Sequence, residues 1–195
     1  SERRLVLCQK SKVLVIIQKL TLMKTSADSL KKSADALNDS SLWEKKKIKK
    51  KDEKTGEEIE VEDYDWDKIT KAVKSFVEDY NDVVKEAGES NTKDVLRNAS
   101  WMTGMTDKNS NMLAKIGITI GKGNKLELDE DALKQADISS LKTVFTGYNS
   151  FVSKISQKAT GISNAANRAS ATYTNNGTYS KTDSSLTSSK IDKEV

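Results

Sequence analysis

Histidine and proline are both absent from this 195-residue chain, and there is a single cysteine, Cys8. Without histidine, the chain lacks the commonest general base and metal ligand. One cysteine forms neither an internal disulfide nor a zinc site. Because histidine is absent, Cys-His and Ser-His-Asp mechanisms are excluded. Because proline is absent, no ring interrupts the helices that the rest of the sequence predicts.

Aromatic residues are also scarce, at 6%, beside 35% hydrophobic and 32% charged residues. These proportions are typical of long amphipathic helices that each bury one stripe. The net charge of +4 is a small difference between 33 basic and 29 acidic residues, so no nucleic acid is expected as a partner. No apolar run approaches the roughly 20 residues that span a bilayer, so no transmembrane segment is expected.

Residues 1–44 are predicted to form an N-terminal helix with a heptad seam. From Ile16 to Leu37, apolar residues recur at alternating steps of four and three, which is the a/d pattern of a coiled coil. Short apolar runs at 5–8 and 13–17 lie at or before the start of the seam, and we expect them to pack on a partner surface. The seam consists of Ile16, Leu20, Met23, Ala27, Leu30, Ala34 and Leu37.

Residues 45–63 are predicted to form a charged β-hairpin. A basic run, Lys45–Lys51, and an acidic run, Glu57–Glu62, lie on either side of a turn-forming stretch at 52–56. Opposite charges on paired strands contribute up to about 1 kcal/mol each, which favours the hairpin. The alternatives are a basic patch that binds nucleic acid or acidic lipid, and a disordered linker. The expected cross-strand pairs are Ile48 with Ile59, Lys50 with Glu57, and Lys47 with Glu60.

Residues 64–171 are predicted to be a helical domain with a small β-hairpin at 117–128, where two alternating runs flank a Gly/Asn turn. One helix is expected to end near Gly104, and a long helix is expected over 149–171. Residues 172–195 are rich in serine and threonine and are expected to be a flexible tail.

The clearest helical pattern covers 67–87, with Gly88 as the expected C-terminal cap. Asp65 or Asp67 is expected to cap its N-terminus. The acidic stretch just before the helix resembles the start of a calcium loop, but lysines stand where that loop needs glycine and glutamate. No metal site is therefore expected there.

No residue set has the pattern of a catalytic site. Adjacent carboxylates, such as Glu57 with Glu58, lie in charged or turn-like surroundings, where they are usually solvated. The Gly-Lys-Gly at 121–123 lacks the GK[ST] sequence and the long helix of a phosphate loop. We therefore expect a chain without catalytic activity or cofactor. Its tryptophans are expected to be packing anchors at helix ends: Trp43, Trp66 and Trp101.

Three motifs follow one another in the helical domain. The first, at 73–81, reads Val-Lys-Ser-Phe-Val-Glu-Asp-Tyr-Asn. The second combines Leu-Ala-Lys-Ile-Gly-Ile-Thr at 113–119 with Lys-Leu-Glu-Leu-Asp-Glu at 125–130. The third, at 141–147, reads Leu-Lys-Thr-Val-Phe-Thr-Gly. Their residues, order and spacing resemble the C-terminal (leg) region of the flagellar filament-cap protein family, FliD.

The resemblance implies a non-enzymatic structural or assembly protein that is exported to the cell surface as part of the flagellum. It also implies helix–helix packing and self-association, without a cofactor. The β-rich head domains that normally precede this region have no room here, and the charged hairpin is at best a reduced substitute. The alternative is an intracellular helical adaptor that binds through the N-terminal helix or the Lys-rich run.

These observations predict a mainly α-helical protein, either an elongated helical bundle or a coiled-coil-like assembly, with one or two small β-hairpins. Apolar helix faces are expected to bind protein partners or further copies of the chain, so an oligomer is expected. The predicted interaction residues are Ile16, Leu20, Met23, Leu30, Leu37, Phe151, Ile155 and Ile162.

Overall fold

A computed structural model describes residues 2–173, with side chains from Leu7 onwards. The predicted flexible tail lies, from residue 174, outside the described residues. The described part is mainly α-helical with two small antiparallel hairpins, which confirms the predicted fold class. The helices are α1 (Glu2–Asn38), α2 (Trp66–Gly88), α3 (Lys93–Lys108), α4 (Ser110–Ala114), α5 (Glu130–Gln135), α6 (Ile138–Phe145) and α7 (Phe151–Ala171). The strands are β1 (Lys46–Lys51), β2 (Glu58–Asp63), β3 (Ile118–Ile120) and β4 (Leu126–Leu128).

Four helices, α1, α2, α3 and α7, form a bundle around one apolar core. Helix α7 contacts both α1 and α3, and α2 contacts the same two helices on their other side. Asp35 contacts Ser156 and Asp28 contacts Ser163, so α1 and α7 run antiparallel. The largest fully buried side chains include Trp43, Phe76, Tyr80, Phe145, Met23, Leu30, Leu37 and Ile69.

Helix α1 has 37 residues, which makes it about 55 Å long. The seam is buried from Leu20 to Leu37, whereas residues 7–19 have no fully buried side chain. The helix therefore contributes only its C-terminal half to the bundle core. Its N-terminal half, residues 2–19, is called the α1 arm below.

A 3-10 turn and an aromatic stack close the end of the bundle where α1 finishes. The carboxylate of Asp39 caps the turn by accepting from the amide of Ser41. The turn carries Trp43, whose ring stacks on Phe145 with centroids 5.5 Å apart. The indole N–H of Trp43 donates to the carbonyl of Leu37 at 2.8 Å. Trp43 is thus a packing anchor at a helix end, as predicted.

Helices α2 and α3 differ from the prediction at their C-termini. Asp65 caps α2 as expected, since its carboxylate accepts from the amide of Lys68 at 3.1 Å. Gly88 is the last helical residue rather than a left-handed cap, because Glu89 stays in the right-handed region. Helix α3 does not end near Gly104. The burial of residues on both sides of Gly104 stabilises the helix by more than the glycine destabilises it, which is about 1 kcal/mol.

The first hairpin pairs in a different register from the predicted one. Ile48 faces Val61 rather than Ile59, and Lys49 faces Glu60. The predicted register would close the hairpin with a tight turn at Glu53 and Lys54. The observed turn is longer and places Gly56, at φ +72°, where the backbone must be left-handed. The observed register also keeps lysines opposite glutamates along one whole face of the hairpin.

The second hairpin, β3–β4, lies against α2 in the predicted region. The side-chain amide of Asn81 on α2 donates to the carbonyl of Leu126 at 2.9 Å and accepts from its amide at 2.7 Å. Gly117 precedes β3 at φ +84°, and a Cβ there would lie 2.7 Å from the carbonyl oxygen of Asp129. Only glycine therefore fits at that position.

Candidate assembly surface

Two polar contacts hold α1 against α7 inside an otherwise apolar contact. The carboxylate of Asp28 accepts from the hydroxyl of Ser163 at 2.6 Å, and that of Asp35 accepts from Ser156 at 2.6 Å. Both serines are buried. The aspartates are seven residues apart on α1, and the serines are seven apart on α7. The two contacts therefore repeat with the heptad and fix the register of the helices.

Each aspartate is also paired with a lysine one turn earlier on α1. Lys24 donates to Asp28 at 2.6 Å, and the same arrangement recurs one heptad later. Burial alone would raise the pKa of Asp28, but the hydrogen bonds from Lys24 and Ser163, with the nearby positive charges, lower it overall. The pKa of Asp35 is lowered in the same way. The sequence pattern did not reveal these contacts, because serines inside a helix stripe resemble neutral small residues.

The predicted interaction residues fall into two groups. Ile16 is 39% exposed and lies where α1 leaves the bundle. The other seven are buried in the core of the same chain, where α1 and α7 pack together. Their contact with a separate partner remains a prediction. The buried members are Leu20, Met23, Leu30, Leu37, Phe151, Ile155 and Ile162.

A partly exposed apolar face runs along the α1 arm and ends at Leu22, just beyond it. Leu7, Leu14, Val15 and Leu22 follow one another at steps of seven, one and seven, so they share one side of the helix. Leu14 is 52% and Val15 is 49% exposed. A helical face of this kind is normally buried against another element. The arm is therefore a candidate contact surface.

A groove lies beside the base of the arm. It has a volume of about 270 Å³ and lies between α1 and the end of α2. Its floor is apolar, with Ile16, Leu20 and Met23. Glu86 and Glu89 form part of the opposite wall. The groove thus combines an apolar floor with an acidic wall on the α2 side, and Lys19 lines it on the α1 side.

Two of the partly exposed aromatic rings lie beside lysines. Trp101 lies in the middle of α3 and is 45% exposed, so it is not the helix-end anchor that was predicted. The ammonium group of Lys158 lies 4.2 Å from its ring centroid, a cation–π contact that partly shields the ring. At the base of the first hairpin, Lys45 lies 5.7 Å from the ring of Tyr64. Trp66 is half-buried at the start of α2, packed against the core and edge-on to Tyr64.

Two of the acidic side chains in the described part have structural roles at helix ends. Asp129 and Asp137 cap α5 and α6 by accepting from backbone amides. The Gly-Lys-Gly stretch forms a short 3-10 turn between β3 and β4. No cluster of His, Cys, Asp or Glu in the described part could hold a metal ion. No described helix is long and apolar enough to cross a membrane.

Comparison with known proteins gives one match. A family model described as flagellar hook-associated protein 2 C-terminus matches residues 88–194, more than half of the chain. Neither the curated proteins nor the solved structures contain a significant match. The matched region includes the second and third motifs of the sequence, and the family agrees with the predicted resemblance. The chain therefore belongs to the family of flagellar hook-associated protein 2 C-terminal regions, the filament-cap (FliD) family.

Proposed function

We propose that the chain is a structural part of a flagellar filament cap, and that it works by helix packing without catalysis. The family match over 88–194 is the observation that carries this proposal. The fold supports it, because the matched region supplies two bundle helices, α3 and α7, and the short hairpin unit between them. Under this proposal the chain acts outside the cell, at the flagellum.

The proposed contacts with other subunits use helix faces, as expected for a cap that assembles from several copies. Ile16 is the predicted interaction residue whose exposure suits a direct contact. The seven buried residues would act indirectly, by keeping α1 and α7 in one rigid bundle. The Lys-rich run does not favour the adaptor alternative, because Lys47, Lys49 and Lys51 face glutamates across the hairpin.

Binding to filament ends tests this function. The purified chain, labelled with gold, is mixed with sheared flagellar filaments whose ends are free. Electron microscopy then counts gold at ends and along the sides. Clear enrichment at one end of the filament is expected, and filaments that still carry their own cap are the control. Equal labelling of ends and sides would contradict the proposal.

A further inference from the structure

The α1 arm is basic as well as apolar. Between residues 3 and 27 there is no acidic residue, while six basic residues lie in the same interval. Among the described side chains of the arm, residues 7–19, the charged ones are therefore all lysines. The arm's partner should therefore offer an apolar surface with negative charge at its edge. The basic residues are Arg3, Arg4, Lys10, Lys12, Lys19 and Lys24.

The same chain offers a surface of that description. The C-terminal half of α2 and the residue that caps it carry four acidic residues on the outer side, and two of them line the groove at the base of the arm. The floor of this groove is apolar, and its volume is about 270 Å³. The acidic residues are Glu78, Asp82, Glu86 and Glu89.

We propose that the α1 arm of one copy docks on the groove and the acidic α2 end of a second copy. The exposed face at Leu14 and Val15 would cover the apolar floor, and Lys10 and Lys12, on the two flanks of that face, would bring positive charge close to Glu86 and Glu89. This proposal rests on the proposed function in one respect, namely that cap proteins assemble from several copies. It goes further by naming the two surfaces that meet.

The charge pattern favours a second copy over two other pairings. Two arms packed face to face would place lysines against lysines, which is repulsive. An anionic membrane would attract the arm, but it would leave the acidic α2 end beside the negative surface. Docking of the arm on the groove instead brings Lys10 and Lys12 towards the wall that carries Glu86 and Glu89.

Sedimentation-velocity centrifugation over a range of concentrations measures the association. The double variant Leu14→Glu/Val15→Glu places two charges in the proposed contact and should weaken association about tenfold or more. Both side chains are about half exposed, so the fold should persist, as circular dichroism would verify. The matched control is Leu96→Glu on α3, which is 42% exposed and outside the proposed contact. The control should associate like the original chain.

A charge exchange tests the pairing itself. One variant, Lys10→Glu/Lys12→Glu, has an acidic arm; the other, Glu86→Lys/Glu89→Lys, has a basic groove. Each alone should associate weakly, because arm and groove then repel each other. An equal mixture should associate as strongly as the original chain, because each arm now meets an oppositely charged groove. No rescue on mixing would overturn the proposal.

The remaining outcomes separate this proposal from the proposed function. A chain that binds filament ends but stays monomeric would overturn the arm–groove contact and leave the cap function standing. A chain that associates through the arm but does not bind filament ends would support the arm–groove contact and overturn the cap function. Monomers that co-sediment with phosphatidylserine vesicles, and lose this binding on Leu14→Glu/Val15→Glu, would replace the second copy by a membrane surface.

Discussion

The contact between Asp28 and Ser163 predicts a coupling energy that can be measured. Removing a hydrogen bond to a charged group costs about 1.5–3 kcal/mol. Asp28 keeps 40% of its side chain exposed, so water replaces part of what is lost. We therefore expect a coupling of about 1 kcal/mol between the two side chains. For a chain of this size, that corresponds to a change in Tm of about 2–4 °C.

A double-mutant cycle isolates this coupling from other effects of each change. The free energy of unfolding is measured by urea denaturation for the original chain, Asp28→Ala, Ser163→Ala and the double variant. The equivalent cycle at Asp35 and Ser156 should give a similar value. The two contacts lie about 10 Å apart along the helices, so their effects should add. A coupling below about 0.3 kcal/mol in both cycles would refute the claim that these contacts stabilise the α1–α7 register.

The same contacts predict how stability depends on pH. The folded pKa values of Asp28 and Asp35 lie below the ordinary value of 3.8. A lowered carboxyl pKa adds stability that is fully present above the unfolded pKa and is lost as pH falls through the folded pKa. The free energy of unfolding should therefore decrease as the pH falls below about 4. This decrease should be smaller in the variant with both aspartates changed to asparagine. Equal acid sensitivity of this variant and the original chain would contradict the assignment.

Two further predictions concern the core and the second hairpin. Leu30→Ala, at a fully buried seam position, should lower the unfolding free energy by about 2–5 kcal/mol in urea denaturation. Leu22→Ala, on the exposed side of the same helix, should change it by less than about 0.5 kcal/mol, and equal losses would contradict the burial of the seam. Gly117→Ala should destabilise the chain by more than about 1 kcal/mol, because the new Cβ has no space and φ is positive. Gly123→Ala has the same φ problem but open space, so it should cost clearly less in the same assay.

The helices were largely predictable because their signals are local. The stripe over 67–87 and the seam from Leu20 to Leu37 both became core, since apolar periodicity reflects burial directly. Capping was also local, so position narrowed the N-cap of α2 to Asp65 or Asp67, and the structure shows that it is Asp65. The second hairpin was also predictable, because its two alternating runs flank a Gly/Asn turn.

Features that depend on two distant segments were not predictable. The predicted register of the first hairpin was wrong, because several registers pair lysines with glutamates equally well. The left-handed backbone at Gly56 decides between them. The contacts of Ser156 and Ser163 depend on which α1 residues lie opposite, which no single stripe reveals. The acidic rim of the groove likewise comes from the far end of α2, about 70 residues from the arm that it adjoins.

The first hairpin joins the bundle through two residues that are themselves neighbours. Lys46 and Asp63 are paired, so their Cα atoms lie about 5 Å apart, and the hairpin between them contacts little of the bundle. Any folded module whose ends lie that close could be exchanged for the hairpin, at little more than the entropy of closing a loop. The bundle therefore offers two adjacent attachment points for an inserted module. Modules of very different size could be grafted there while α1, α2 and α7 keep the same packing.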